Sequence, residues 1–247
     1  MNRNGPEPAA NTYRAHRERQ RRRILTAAGK LFDERGIDRT TMAEVISASE
    51  VRASTMYQYF ANKDEIVWAI LGKVLEEATA RVKQRMEGAT TGLARIAALL
   101  EYMADELAEN QARIRFMAQF DAMYARDWPV ERLLTLEGQF HDRGFEEFRA
   151  LIREGMADGS LRPDLDPNLT LHAVMNAVVA AQRRLASLGA KVELEYGQPI
   201  DKLFRETIRI IVFGLRAADT PCAADLSQRV GTPRAVARKA ATRKRST

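Results

Sequence analysis

Residues 40–63 read TTMAEVISASEVRASTMYQYFANK. Two short helical patterns are separated by a tight polar break, and the second is rich in small, hydroxyl-bearing and aromatic residues. Thr41-x-x-Glu44 has the spacing of a capping box: the hydroxyl accepts the N–H three residues on, and the carboxylate reaches back to the threonine N–H. A helix is therefore predicted over about 42–48, and a further one over about 53–59 beyond the break at 49–52. Such a pair is a helix-turn-helix when an internal apolar set holds the second helix out rigidly. Val45, Val51, Met56 and Phe60 supply that set, with Leu31 and Phe32 of the preceding helix.

The second helix carries side chains that a DNA groove admits. Ala53, Ser54 and Thr55 stand at its N-terminal end, where base edges are read. Their methyl groups suit thymine, and their hydroxyls bond to base edges or phosphate. Tyr57, Gln58 and Tyr59 follow as further contact candidates, the tyrosines through phosphate-seeking hydroxyls, and Lys63 offers charge. Thr41, at a helix N-terminus, adds backbone N–H groups that favour a phosphate. Phosphate contacts position a protein on the duplex, while base contacts specify sequence. The plainer alternative is a three-helix corner with exposed tyrosines.

Outward from this stretch the periodicity is helical nearly throughout. A first helix is predicted over 18–35, with Ile24, Ala28, Leu31 and Phe32 on one face and Gly36 at its stop. A fourth runs from about 63 to 85. Amphipathic helices follow over 91–108 and 110–126, then one from Pro129 to about 157. The break DGSLRPDLDP (158–167) precedes a long helix over 167–188. A loop or short irregular piece is expected over 188–199, and a last helix over 200–217.

The net charge of +6 is unevenly placed: residues 1–23 carry +5, residues 219–247 another +5, and the middle −4. Residues 24–64 alone are near neutral at −1. Affinity for any duplex is then expected to come from the basic arm, and sequence preference from the helices. A solvated, disordered role is the alternative for both tails, and beyond 219 the composition cannot bury enough surface to fold alone. No apolar run approaches the ~18 residues of a membrane span, and the opening residues lack a secretory leader pattern. Cys222, the lone cysteine, has no internal disulfide partner, as in a reducing cytoplasm.

At these positions the chain resembles the TetR-type transcriptional regulators. Their DNA-binding domain follows a first helix with G-x-x-x-T-[ST], then a short helix, then V-x-x-x-T-x-Y-x-Y-F-x-x-K. Gly36, Thr40, Thr41, Val51, Thr55, Tyr57, Tyr59, Phe60 and Lys63 stand at those places. The specific match covers about 20–68, and EGMADGSLRPDLDP (154–167) looks like the turn into the family's dimerisation helices. The resemblance implies an all-α fold, with an N-terminal three-helix DNA-binding domain on a C-terminal helical ligand-binding and dimerisation domain. It implies a homodimer through helices 167–188 and 200–217 on double-stranded palindromic DNA, and a small-molecule effector. The expected organisation is a basic flexible arm (1–17), the helix-turn-helix domain (18–64), the effector and dimerisation domain (65–218) and a disordered basic tail (219–247).

Three residues depart from the pattern. The turn position that usually holds Gly is Glu50, which predicts strain because glycine alone adopts positive φ freely. Ile46 is bulkier than the usual Ala. Arg52 gives up a helix cap and gains a phosphate or guanine contact.

For the effector, Phe116, Met117, Phe120, Met123, Tyr124 and Trp128 form a soft, large wall, which Phe140 and Met175 extend. Such a wall suits an apolar or aromatic ligand. His141, Asn176, His172 and Gln182 are polar candidates to orient it, although each of these residues also fits ordinary core or interface. Three scattered histidines lack metal-ligand spacing, and no phosphate loop or nucleophile elbow appears. Neither an enzyme, a cofactor, a metal nor a membrane partner is expected. The rival reading is an architectural, weakly sequence-specific DNA binder that works through its basic tails.

Overall fold

The computed structural model describes residues 8–139 and 146–217, with side chains left out at 8–12 and 137. Among them lie eleven helices and no strand, apart from one isolated bridge between Leu161 and Arg216. The described residues up to Ala217 belong to one compact unit with two apolar cores. No helix among the described residues is long and apolar enough to cross a membrane.

The first core is built by α1 (Pro8–Arg35), α2 (Met42–Ser49), α3 (Ala53–Tyr59) and the first half of α4 (Lys63–Met86). Ile24, Leu25, Ala28, Leu31 and Phe32 recur at helical spacing and are buried against Val45, Val51, Met56, Phe60, Ile66 and Val67. Gly36 ends α1 at φ 89°, a left-handed stop that glycine takes without strain. Asn62 caps α4, its side chain accepting the Glu65 N–H at 3.0 Å.

The second core joins the far end of α4 to α5 (Gly92–Glu109), α8 (Glu146–Ala157), α9 (Pro167–Leu188) and α11 (Ile200–Leu215). Leu100, Leu107, Val178, Phe204 and Ile208 are among its most deeply buried side chains. Gly92 meets the backbone of Gly155, so α5 and α8 pack with no side chain between them. The 158–162 turn ties this corner together. Asp158 accepts the Gly92 N–H at 2.8 Å, and Ala217 donates back to the Ser160 carbonyl at 3.1 Å. Asp166 then caps α9, with Pro167 in its first turn.

Three boundaries differ from expectation. The first helix begins at Pro8, ahead of the expected 18, because no glycine or proline interrupts the stretch and proline itself suits a first turn. The single helix expected from Pro129 to 157 is two, α7 (Val130–Glu137) and α8, with Gly138 closing the first. The piece expected as loop over 188–199 contains α10 (Lys191–Tyr196), held by fully buried Val192 and flanked by positive-φ Gly189 and Gly197. Between the two cores, α6 (Gln111–Met123) lies against α1 and α9.

Candidate nucleic-acid interface

The capping box at α2 forms as the sequence spacing requires. Thr41 Oγ1 accepts the Glu44 N–H at 3.3 Å, and Glu44 Oε2 accepts the Thr41 N–H at 2.8 Å. Arg35 binds the other Glu44 oxygen at 2.7 Å, which fixes the start of α2 to the end of α1. The Thr41 N–H, then its hydroxyl, hold the Glu44 carboxyl below the usual carboxylate range.

The turn into α3 is made at Glu50, at φ 53° and ψ 32°. It is the only non-glycine residue at positive φ among the described residues. The left-handed conformation that the family pattern assigns to glycine is therefore kept, and a glutamate is forced into it at a cost of roughly 1–2 kcal/mol. Its carboxylate is 2.6 Å from Arg23 of α1. Arg52 at the start of α3 makes no side-chain cap and is exposed.

On α3 the two faces separate cleanly. Met56 is fully buried and Phe60 nearly so, while Ala53, Ser54, Tyr57 and Gln58 are exposed. Those four stand at i, i+1, i+4 and i+5, one face of a helix, and with Arg52 and Thr41 they form the open surface. Thr55 is half-buried.

Two expected contacts have other partners. Lys63 Nζ donates to the carbonyls of Ile37 and Asp38 at 2.7 and 3.3 Å, clamping the loop between α1 and α2. Tyr59 donates its hydroxyl to Gln20 at 3.0 Å and lies under the guanidinium of Arg17, 5.6 Å from the ring centroid. Arg21 covers Phe60 in the same way at 5.7 Å. The basic stretch expected as an arm thus continues α1 alongside α3, and its arginines reach the C-terminal end of the reading helix. The signal in the sequence was partial: Arg17 and Arg21 are spaced i, i+4, on one face of a helix.

The effector candidates are distributed unevenly. Phe116 stacks on Phe32 of α1 at 6.2 Å, and Phe120 meets Trp68 of α4 edge-on at 5.3 Å. Met117, Met123 and Tyr124 pack beside them against the first core, and half-exposed Trp128 covers Phe120. Tyr124 is a node: it accepts the Trp68 indole N–H at 2.8 Å and donates to Asp64, which also pairs with Arg132 at 3.0 Å. Burial first, then the Asp64 carboxylate, push the Tyr124 hydroxyl up to about 12. Met175 packs on the second core, and Asn176 is exposed on α9, donating to the His172 carbonyl. Gln182 is a buried core residue bonded to the Met103 carbonyl at 2.7 Å. Phe140 and His141 lie outside the described residues.

Gln119 of α6 was not singled out from sequence. Its amide accepts the Ile37 N–H at 2.8 Å and donates to the Phe32 carbonyl at 3.2 Å, fastening α6 to the end of α1. Arg115 adds an ion pair to Asp33 at 2.6 Å. No group of metal-ligating residues gathers among the described residues.

A rigid two-helix unit with an open polar face, carried on a larger helical body, defines a helix-turn-helix DNA-binding protein. The model for bacterial regulatory proteins of the tetR family matches residues 24–70. The transcriptional repressor KstR2 of Mycolicibacterium smegmatis is 23% identical over 164 residues, 66% of this chain and 78% of that protein. The transcriptional regulator HbdR of an Aromatoleum strain is 29% identical over 147 residues, 59% of this chain and 62% of its own length. In fold, the chain is similar to the ketosteroid regulator KstR2 of Mycobacterium tuberculosis. The TM-score is 0.60 at 20% identity, over 81% of this chain and 96% of that one. The fatty acid degradation regulator FadR of Bacillus halodurans gives a TM-score of 0.60 at 17% identity, over 88% of this chain and all of that one (100%). Residues 24–70 thus match the DNA-binding domain of the tetR family, and beyond them the chain resembles TetR-type transcriptional regulators in sequence and in fold.

Proposed function

We propose that the protein is a cytoplasmic, dimeric repressor that sits on a palindromic operator and leaves it when a small apolar or aromatic effector binds. The observation that carries this reading is the shared helix α4. Its first turns bury Ile66, Val67, Trp68 and Leu71 in the reading domain, and its far end buries Val82 in the second core. A change in the second core then has a rigid route to α3. Coupling of this kind is a population shift, so the effector must bind the released state better. Two operator half-sites would be read about 34–36 Å apart, one DNA turn.

Dimerisation through α9 and α11 is supported by Leu169, Ile210 and Phe213, exposed at 69%, 60% and 69%. Ala173, Ala177 and Ala180 continue the same exposed side of α9 with small residues that allow close approach. Relatives named as repressors support the sign of regulation. Neighbours named for ketosteroids and for fatty acid degradation support an apolar effector. The α6 wall from Phe116 to Trp128 is the face through which such a ligand would act on α4.

The second reading, an architectural DNA binder, is favoured by exposed Arg14, Arg19 and Arg22 on α1. Footprinting separates the two. One short palindromic protected tract, from a species that sediments as a dimer, supports the repressor. Even protection along any duplex supports the architectural reading.

A further inference from the structure

Where α1, α4 and α6 meet, an open cleft of about 300 Å³ runs between the reading domain and the helix that braces it. Its apolar walls are Leu25 of α1, Ile70 and Val74 of α4, and Phe116 of α6. Lys73, Glu77 and Arg113 form its polar end. Gly29 opens onto the same space. A Cβ there would meet nothing within 4 Å, and no positive φ calls for glycine, which is unfavourable in a helix interior. Neither packing nor backbone geometry accounts for this glycine, and its effect is to keep the α1 wall of the cleft low.

The charges at the polar end are unbalanced. Glu77 is shared by Arg113 at 2.5 Å and Lys73 at 3.7 Å, and Glu106 by Arg113 and Arg81, so three cations share two carboxylates. Arg113 Nη1 is buried and makes no hydrogen bond, lying 3.4 Å from Glu106 in an ion pair without hydrogen-bond geometry. A buried donor left in this state is costly, and a shift of the Arg113 side chain toward an acceptor in the cleft would relieve it.

We propose that this cleft is a binding site for a small amphipathic carboxylate, with its apolar body between Leu25, Val74 and Phe116 and its anionic head toward Lys73 and Arg113. The volume falls at the small end of ligand sites and suits a single ring with a short acid chain. The claim concerns binding alone and stands whether or not the protein is an effector-released repressor.

The test uses 4-phenylbutyrate and its uncharged analogue 4-phenylbutanol as probes on the full chain, by calorimetry and by methyl NOEs. The acid binds with NOEs from its ring to the methyls of Leu25, Ile70 and Val74, and about tenfold more tightly than the alcohol. Gly29→Leu fills the cleft from α1 and weakens the acid at least tenfold, with an unchanged circular-dichroism spectrum. Lys73→Gln, at an exposed position, removes most of the acid's advantage over the alcohol and serves if Gly29→Leu fails to fold. Three results each overturn the proposal: no binding of the acid at millimolar concentration, NOEs to Leu107 and Val178 of the second core instead, or equal affinity for acid and alcohol.

Discussion

Glu50 offers a test in which backbone and charge pull in opposite directions. Its φ of 53° costs a non-glycine residue roughly 1–2 kcal/mol, and Glu50→Gly removes that cost. The variant loses the Arg23 ion pair, whose partners are 51% and 80% exposed, so the loss is about 0.3 kcal/mol. Glycine's extra freedom in the unfolded chain takes back about 0.5–1 kcal/mol. Glu50→Gly should therefore be more stable by about 0.5 kcal/mol, a rise of about 1–2 °C in Tm for a domain of this size. Glu50→Gln keeps the strained backbone and loses only the ion pair, so it should be slightly less stable than wild type. Paired urea titrations measure the difference. Equal stabilisation by both variants would refute the backbone argument and assign the effect to charge. The same variants bear on DNA. Each releases Arg23 beside the reading helix, and if Arg23 then takes up one phosphate, the slope of log K against log salt steepens by about 0.9. Anisotropy with a labelled duplex at several salt concentrations reads that slope, and an unchanged value would place Arg23 away from the backbone.

Deleting residues 1–17 removes Arg3, Arg14 and Arg17. It should weaken binding to all sequences and flatten the salt slope by up to about 2.7, which a retained slope contradicts. Lys63→Met breaks two carbonyl contacts and should cost about 1–2 kcal/mol in urea while leaving the salt slope unchanged; a flattened slope would make Lys63 a phosphate contact instead. Tyr124→Phe strands the Trp68 N–H and should cost about 1–2 kcal/mol. Because the Tyr124 hydroxyl is raised from 10 to about 12, its contribution is full below pH 10 and fades between about 10 and 12. The wild-type pH–stability curve should fall through that interval more steeply than the Tyr124→Phe curve. Gly92→Ala places a methyl in the Gly155 backbone, 2.7 Å from the Leu151 carbonyl oxygen, and should lose about 2–3 kcal/mol by thermal denaturation.

The elements best read from sequence were those whose signals are local. The capping box at Thr41 and Glu44, the break within 49–52 and the start of the long helix at Pro167 involve groups within a few residues of one another, and each formed close to where the spacing placed it. The start of α1 was missed because seven arginines in 1–23 read as a solvated arm. What makes that stretch a helix is the absence of any breaker after Pro8 and the lodging of Arg17 and Arg21 on Tyr59 and Phe60, a contact across some forty residues.

The site divides along the same line. Helical periodicity identified the outward face of α3 because its inward partner, Met56, lies in the same short motif. Periodicity on α6 identified an apolar face but not what faces it. A ligand wall and a packing surface call for the same Phe, Met and Tyr residues at the same spacing. The distinction lies in the partners: Phe32 and Trp68 are 84 and 52 residues before Phe116 and Phe120. Polar residues on α6 held the better clue. Gln119 and Arg115 reach Phe32, Ile37 and Asp33, a grip that a ligand pocket does not require and a brace on α1 does. The α6 aromatics are thus accounted for by the joint that holds the reading domain, and an effector that works through them must do so by shifting that joint.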